Sequence, residues 1–550
     1  MPFSAKSFYI RLNTQSNGEI WFGLLLGMLA ITYFCFAVFR IDYLNSKLIR
    51  LSPYPDALEY YSMARSMARG GPPKIQIGEE LLPSRYPPGY SVLMLPWIKI
   101  LSEKNKILAP FRTNQTLGLF FIVCVWIYYW RLGKPLAGGV SAMLLATLPI
   151  FIIYSRSSLS EISGVILIAF AAMAVAKGLI LTQRRWIYLC AFFLGMAVNT
   201  RLQLIFFGPL LVAMALIKEK NRWTQWLLHC VLILVAFALC ASPIFIINYF
   251  EFGNPFLTGY DFWVPGTMSS ESVFSIINFW PSALVLWNEF SLMPQVFSVS
   301  NIFGNGTHFT PALPILSLIG CASIKNWKLA LSIGLAWISS LFGIMLYFYH
   351  DSRMFITAIV LLIPTATVAI CKTLELVKEK KYFKAAPLLI LSILCLLGFP
   401  SVSKASNNIL RSQFIEQLTT KIKKRPAVEN IAAKEFGKLV KAKKGLVISR
   451  INPVLLNELL PKEFIAAPLD GIHVYSQTNL WKYSTREATD LISKQLALGN
   501  PVYALFVPGK ELEKEIESVP KIANYQWVPL KFRKRYGVVL MLVPLNSGEK

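Results

Sequence analysis

Twenty consecutive residues, Ile20 to Phe39, carry no charge. At 1.5 Å per residue, a helix of that length covers about 30 Å, the thickness of a bilayer's hydrocarbon core. Comparable apolar stretches follow at about 111–130, 136–155, 163–181, 186–200, 202–217, 223–247, 310–324, 329–348, 354–371 and 385–400, making eleven with the first. Lipid offers no hydrogen bonds to a backbone amide, so such segments must satisfy their own. The expected fold is therefore mainly α, a polytopic bundle of about 11 transmembrane helices. Alternating strands that would suggest an outer-membrane barrel are not sustained anywhere. No small-residue cleavage site follows the first run, so it is expected to stay as the first span.

Composition supports this. Hydrophobic residues make up 55% of the chain and charged residues 15%, against roughly 25% charged in soluble domains. Lys and Arg number 55 and Asp and Glu 29, a formal charge of +26. In a soluble protein that excess would suggest nucleic acid. Here the basic residues sit in short links between apolar runs, so a lipid bilayer is the expected partner and nucleic acid is not. Alternate links are rich in Lys and Arg (Arg131/Lys134, Arg184/Arg185, Lys218/Lys220/Arg222, Lys325/Lys328), while the intervening ones hold Arg156, Arg201 and Arg353 singly; the long loop from Arg40 to Pro110, with ten basic residues among interspersed acids, is the exception. The positive-inside rule then puts the N-terminus in the cytoplasm, and an odd number of spans puts the C-terminus outside a cell (cytoplasmic) membrane. The eight cysteines lie within or at the ends of apolar runs and form no metal-binding or disulfide pattern.

Two regions break the apolar pattern. The first outer loop, from Arg40 to Pro110, carries amphipathic pieces at 57–69 and 90–101. After Pro400 the composition becomes that of a soluble domain. Helices are expected at 430–444, 488–498 and 511–518, the second preceded by a Ser484/Glu487 capping box, and strands at 446–449, 502–507, 527–532 and 538–543. This divides the chain into a membrane domain, 1–400, and a small extracytoplasmic α/β domain, 401–550, the latter with 24 Lys/Arg against 13 Asp/Glu.

Charged groups near lipid are costly and usually have a use, and four places hold them at outer span ends. In Pro55-Asp56-Ala57-Leu58-Glu59-Tyr60, a helix starting near Asp56 puts Asp56, Glu59 and Tyr60 on one face. Asp56 is then either a helix cap or a general base or metal ligand. Arg85, in Arg85-Tyr86-Pro87-Pro88-Gly89-Tyr90, suits either bidentate phosphate binding or a headgroup contact. Glu161, ending Tyr154-Ser155-Arg156-Ser157-Ser158-Leu159-Ser160-Glu161, either favours a helix N-terminus or serves as a second carboxylate. Arg201 and Arg353 either anchor their helices or, beside Arg85, clamp a lipid phosphate; Asp351 and His350 are adjacent options. The loop 251–311 has no Lys or Arg but holds Tyr260, Trp263, Trp280 and Trp287, either an interfacial belt or a cover for the site. Asn114-Gln115-Thr116 and Asn305-Gly306-Thr307 match a glycosylation sequon. No phosphate-binding loop, dinucleotide fingerprint, zincin or hydrolase motif is present.

In order and spacing, "ARSMARGG" (Ala64–Gly71), "RYPPGYSVLMLP" (Arg85–Pro96), "YSRSSLSEI" (Tyr154–Ile162) and "GNPFLTGYDFW" (Gly253–Trp263), with Pro55-Asp56, Tyr60, Arg201 and Arg353, occupy roughly the first 400 residues. Over that stretch the chain resembles the polyprenyl-phosphate-dependent GT-C glycosyltransferases, the group of protein O-mannosyltransferases and lipid A aminoarabinose transferases. The resemblance implies an inverting enzyme that moves a monosaccharide from a polyprenyl-phosphate-linked donor to an extracytoplasmic acceptor. It implies Asp56, Glu161 and Glu59 as catalytic residues and Arg85, Arg201 and Arg353 as ligands of the lipid phosphate. Tyr60, Tyr86 and Tyr260 would be further substrate contacts. A divalent cation at Asp56 and Glu161 is the one cofactor suggested. The competing reading is a transporter or flippase using the same arginines without breaking a bond. Transporters, however, gather polar groups at the bilayer midplane. A scaffold resting on the basic terminal domain is a third reading.

Overall fold

The computed structural model describes residues 17–39, 55–77, 80–181, 183–214, 223–263, 275–290, 312–324, 326–347, 352–397, 428–461, 463–469, 485–507, 512–530 and 537–545. His350, Asp351, Ser484 and the Asn305 sequon lie outside them. Two compact units emerge. The first takes 1–40, 111–247 and 270–421; the second takes 41–110, 248–269 and 422–550. The expected boundary at residue 400 instead groups the first outer loop with the membrane domain.

The first unit is helical. Each of the eleven expected spans meets helix where its residues are described, and among the described residues five helices are long and apolar enough to cross a membrane by themselves: Asn17–Phe39, Asn105–Arg131, Glu161–Leu181, Trp223–Phe252 and Trp327–Met345. Arg353–Val360 and Ile363–Lys378, bent by 45°, make a sixth if counted together, and the rest are shorter apolar helices. The protein is a multi-pass membrane protein. The Trp223–Phe252 helix leaves Leu234 57% and Leu239 67% exposed. Such a surface would cost about 25 cal/mol per Å² in water, and lipid removes the cost.

Local chemistry explains where the spans depart from expectation. The stretch 136–155 is two helices, Pro135–Thr147 and Pro149–Ser155, because Leu148 precedes a proline and takes an extended conformation. Residues 202–214 form a 3₁₀ helix containing Pro209. Where Asn17–Phe39 crosses Pro135–Thr147, a side chain on Gly139 would come within 2.6 Å of the Gly23 carbonyl, so only glycine permits the approach. The core around this crossing includes Phe34, Phe121, Phe151, Ile162 and Phe355. The buried Ser141 and Thr367 hydroxyls satisfy one another at 2.8 Å.

The second unit joins two layers of structure. In the loop region, the Pro55–Ala68 helix packs on the Gly89–Ile100 helix through Tyr60, Tyr61, Met63 and Ala64 against Tyr90, Met94 and Ile98. An antiparallel hairpin, β1 (Lys74–Ile77) and β2 (Glu80–Pro83), adds Ile75 and Ile77 to that core. The terminal region is a five-stranded sheet of β3 (Gly445–Ser449), β4 (Phe464–Pro468), β5 (Val502–Phe506), β6 (Tyr525–Pro529) and β7 (Val538–Pro544), in the order β4-β3-β5-β7-β6. β4, β3 and β5 run parallel, while β7 runs antiparallel to both β5 and β6. β3 and β5 are buried at every residue, as apolar parallel strands covered on both faces should be. The helices Pro453–Leu459 and Thr485–Ala497 make the crossovers. Strands 446–449, 502–507 and 538–543 match expectation to within a residue. The strand expected at 527–532 runs from Tyr525 to Pro529 instead, and β4 and the hairpin were not expected.

Candidate functional site

Each unit gathers some of the expected site residues into a charged cluster. In the first, Glu161 opens the Glu161–Leu181 helix and is 3% exposed. Its Oε1 lies 2.6 Å from Arg201 Nη1 and 3.7 Å from Arg353 Nη1. Its buried Oε2 has no hydrogen-bond partner among the described residues. Glu161 thus stands in the first turn of its helix, as an acid there favours, and also meets two guanidinium groups. A small cavity beside it is lined by Glu161, Arg201, Gln203, Arg353, Ile344 and Thr357, among others.

Neutral amides hold this cluster, and the sequence marks only Asn114, as a sequon. Asn114, fully buried in the Ala109–Arg131 helix, donates to the Ser157 carbonyl at 2.9 Å and the Leu159 carbonyl at 2.6 Å, fixing the turn that presents Glu161. With its amide nitrogen so engaged, Asn114 cannot be a glycosylation site. Asn199 ends the Arg185–Val198 helix two residues before Arg201. Its amide donates to the Cys240 carbonyl at 2.7 Å and accepts from the Ile244 amide at 3.0 Å. Those two groups are the partners of one helical rung beside Pro243, so Asn199 is spliced into the neighbouring helix where proline weakens its ladder. Gln203, with its amide oxygen turned toward Arg201, accepts from Nε at 2.8 Å and Nη2 at 2.7 Å. Arg353 enters from a 3₁₀ turn, Ser352–Phe355, that leads into the bent helix pair.

The second cluster stands on the Pro55–Ala68 helix. Proline at the first helical position is favoured because its missing N–H would have no partner there. Asp56 therefore sits inside the first turn, and the cap alternative does not hold. Glu59 is 1% exposed and fully engaged: one oxygen accepts from Ser84 Oγ at 2.8 Å and the Arg85 amide at 2.9 Å, the other from Arg85 Nε at 2.7 Å. Asp56 Oδ1 lies 3.8 Å from Arg85 Nη2, and its side chain is 20% exposed against 2% for Glu59. Of the two acids, only Asp56 can be reached.

Aromatic rings enclose Arg85. Its guanidinium carbon lies 5.0 Å from the Tyr86 ring centre and 5.7 Å from that of Tyr260. Tyr60 touches Tyr86 at 5.0 Å and Tyr90 edge-on at 5.1 Å; Tyr86 meets Tyr260 edge-on at 5.8 Å. Burial holds the Tyr86 phenol well above its ordinary titration range, so it stays protonated. A side chain on Gly259 would collide with the Ser84 carbonyl and the Arg85 backbone, so glycine lets the Tyr260 segment close on the chain that follows β2. The structure thus brings Asp56, Glu59, Tyr60, Arg85, Tyr86 and Tyr260 together in one unit, and Glu161, Arg201 and Arg353 in the other.

Residues 87–246 match the family model of dolichyl-phosphate-mannose-protein mannosyltransferase. The match includes Glu161 and Arg201 but not Asp56, Arg85 or Arg353. No curated protein matches by sequence. Among solved structures, ArnT from Cupriavidus metallidurans bound to undecaprenyl phosphate is similar with a TM-score of 0.57 at 13% identity, over 94% of this chain and 97% of that one. The same protein in its apo state is similar with a TM-score of 0.54 at 15% identity, over 88% and 93%. By its fold, then, this chain is of the GT-C type.

Proposed function

We propose that the protein is an inverting glycosyltransferase that moves a monosaccharide from a polyprenyl-phosphate carrier to an acceptor outside the cytoplasmic membrane. The observation that carries this reading is the mannosyltransferase family match across the helix ends that bear Glu161 and Arg201. The basic links argue for a cytoplasmic N-terminus and for the α/β domain lying outside.

In the proposed reaction the acceptor oxygen attacks the anomeric carbon as the bond from that carbon to the phosphate oxygen breaks. Asp56 takes the hydroxyl proton. The polyprenyl phosphate leaves with growing negative charge, which Arg201 and Arg353 stabilise. Glu161 keeps those two guanidinium groups apart and oriented, and its unbonded Oε2 is available to a substrate hydroxyl. Glu59, with both oxygens committed, positions Arg85 and takes no proton. Arg85 stands beside the Asp56 carboxylate and orients it. Tyr260, only partly buried, offers the aromatic contact to substrate. The donor set argues against a divalent cation at Asp56 and Glu161. Each carboxylate already faces a guanidinium, and no group of three His, Cys, Asp or Glu side chains suited to a metal occurs among the described residues.

The test is sugar release from a panel of radiolabelled polyprenyl-phosphate monosaccharides by the purified protein, with membrane extract as acceptor. Turnover that Asp56→Asn and Glu161→Gln abolish, with donor binding retained, is the expected result. Donor binding without turnover for any sugar would sink the proposal.

A further inference from the structure

The Pro55–Ala68 helix is also gripped at its far end, by an ionic cluster that the proposed reaction does not use. Glu458 lies at the end of the Pro453–Leu459 helix, between β3 and β4 of the α/β domain. Its Oε2 accepts from the Tyr61 hydroxyl at 2.9 Å and its Oε1 from Arg65 Nε at 3.2 Å, across nearly four hundred positions of chain. Tyr61 and Arg65 are one turn apart, so a single carboxylate ties two successive rungs and fixes both the rotation and the height of the helix. Arg65 Nη1 also reaches Glu103 at 3.0 Å, and Glu103 pairs with Lys106. Exposure separates the two acids. The Glu458 side chain is 19% exposed and Glu103 54%, so Glu458 is the shielded partner and Glu103 the rim. Tyr61 is completely buried, and burial, reinforced by Glu458, raises its phenol above its usual range, leaving it a constant donor.

Buried ion pairs often add little net stability compared with apolar packing; what they supply best is a defined geometry. This one joins the helix that carries Asp56 to the α/β domain of the same unit. We propose that Glu458 is a positioning residue, and that through Tyr61 and Arg65 the α/β domain sets the register of the helix bearing Asp56. The proposal rests on Asp56 being the base. It makes the terminal domain a requirement for turnover and not for donor binding.

The experiment uses the full chain in detergent and compares wild type with Glu458→Gln, Tyr61→Phe and Glu435→Gln. Glu435 pairs with Lys438 at the surface of the same domain and serves as the control. Glu458→Gln is expected to lower kcat roughly 10- to 100-fold, the penalty of a small misplacement. The KM for donor and the Kd for polyprenyl phosphate should stay within about twofold of wild type, because turnover alone depends on the register. Hydrogen exchange across residues 55–68 should quicken. Tyr61→Phe, which removes one of the two bonds, should do the same more weakly, and it carries the test if Glu458→Gln does not fold. Glu435→Gln should match wild type. Wild-type kcat in both clamp variants would overturn the proposal, as would an equal loss of kcat and donor affinity, which marks general unfolding. Should the wild type transfer no sugar at all, the Asp56 reading fails separately. Unchanged exchange at 55–68 would then still refute the clamp.

Discussion

The two charged clusters are built from the same side chains in opposite proportion. In the first unit one carboxylate, Glu161, faces two guanidinium groups, Arg201 and Arg353. In the second, two carboxylates, Asp56 and Glu59, face one guanidinium, Arg85. The first cluster sets two guanidinium groups around one buried acid, and the second seats the more exposed Asp56 on the same helix face as the buried Glu59. Under the proposed reaction the former suits a departing phosphate and the latter a proton acceptor. Asp56 is the acid that substrate can reach, its side chain 20% exposed against 2% for Glu59.

The largest expected effect tests the cluster with two acids. Asp56→Asn should reduce transfer by roughly 10²- to 10⁴-fold, the usual share of a general base, with donor affinity preserved. Glu59→Gln measured beside it sharpens the contrast: it should reduce stability and turnover together, because it frees a buried Arg85. Equal effects of the two on transfer, with equal stability, would erase the distinction between them. In the cluster with two arginines, Arg201→Met leaves Glu161 buried against Arg353 alone. Breaking such a pair costs about 3–5 kcal/mol, to be read as a fall in thermal unfolding temperature together with weaker polyprenyl-phosphate binding. Arg201→Lys should recover stability more than binding, since the bidentate fork is lost.

A smaller effect is expected at Asn199→Ala. It exposes the Cys240 carbonyl and Ile244 amide beside Pro243 and should cost about 1–3 kcal/mol, again by thermal unfolding. The smallest concerns Glu103. Hydrogen bonds from Lys106 and Arg65 hold its carboxyl down at about 2. Its folded value is depressed, so its contribution is present above the ordinary glutamate range and fades as pH falls toward about 2. The group is mostly exposed, so Glu103→Gln should cost less than about 1 kcal/mol and should flatten that acid limb of the unfolding curve.

The bundle was legible because length and apolarity decide it: a run such as Ile20 to Phe39 has few alternatives in lipid. The break at Leu148 was legible in principle from Pro149, yet a window of hydropathy passes over it. The hairpin 74–83 and β4 were not, since four or five mixed residues carry no period. At the site, residue types could be read and their partners could not. Asp56 and Glu59 share a helix face and were paired by spacing. Glu59 with Arg85, and Glu161 with Arg201 and Arg353, are joined by folding across distances that no local pattern records. For that reason Arg85 was grouped with the other two arginines, when its immediate partner is Glu59. Asn114 is visible in the sequence only as a sequon, and Asn199 and Gln203 carry no signal, because a neutral amide in an apolar stretch looks alike whether it bridges helices or not.

The second unit is drawn from three separated stretches, 41–110, 248–269 and 422–550. A ribosome adding about 5–20 residues per second needs roughly 15–60 s to pass from residue 110 to residue 422. Throughout that interval the helix bearing Asp56 exists without Glu458, and for about the first half of it the Ser84–Arg85 segment waits for Gly259. The chain can therefore seat its apolar helices in the bilayer long before the acid cluster takes its final form. Newly made protein should pass through a stage that is inserted but catalytically silent, and any truncation ahead of residue 458 should hold it there.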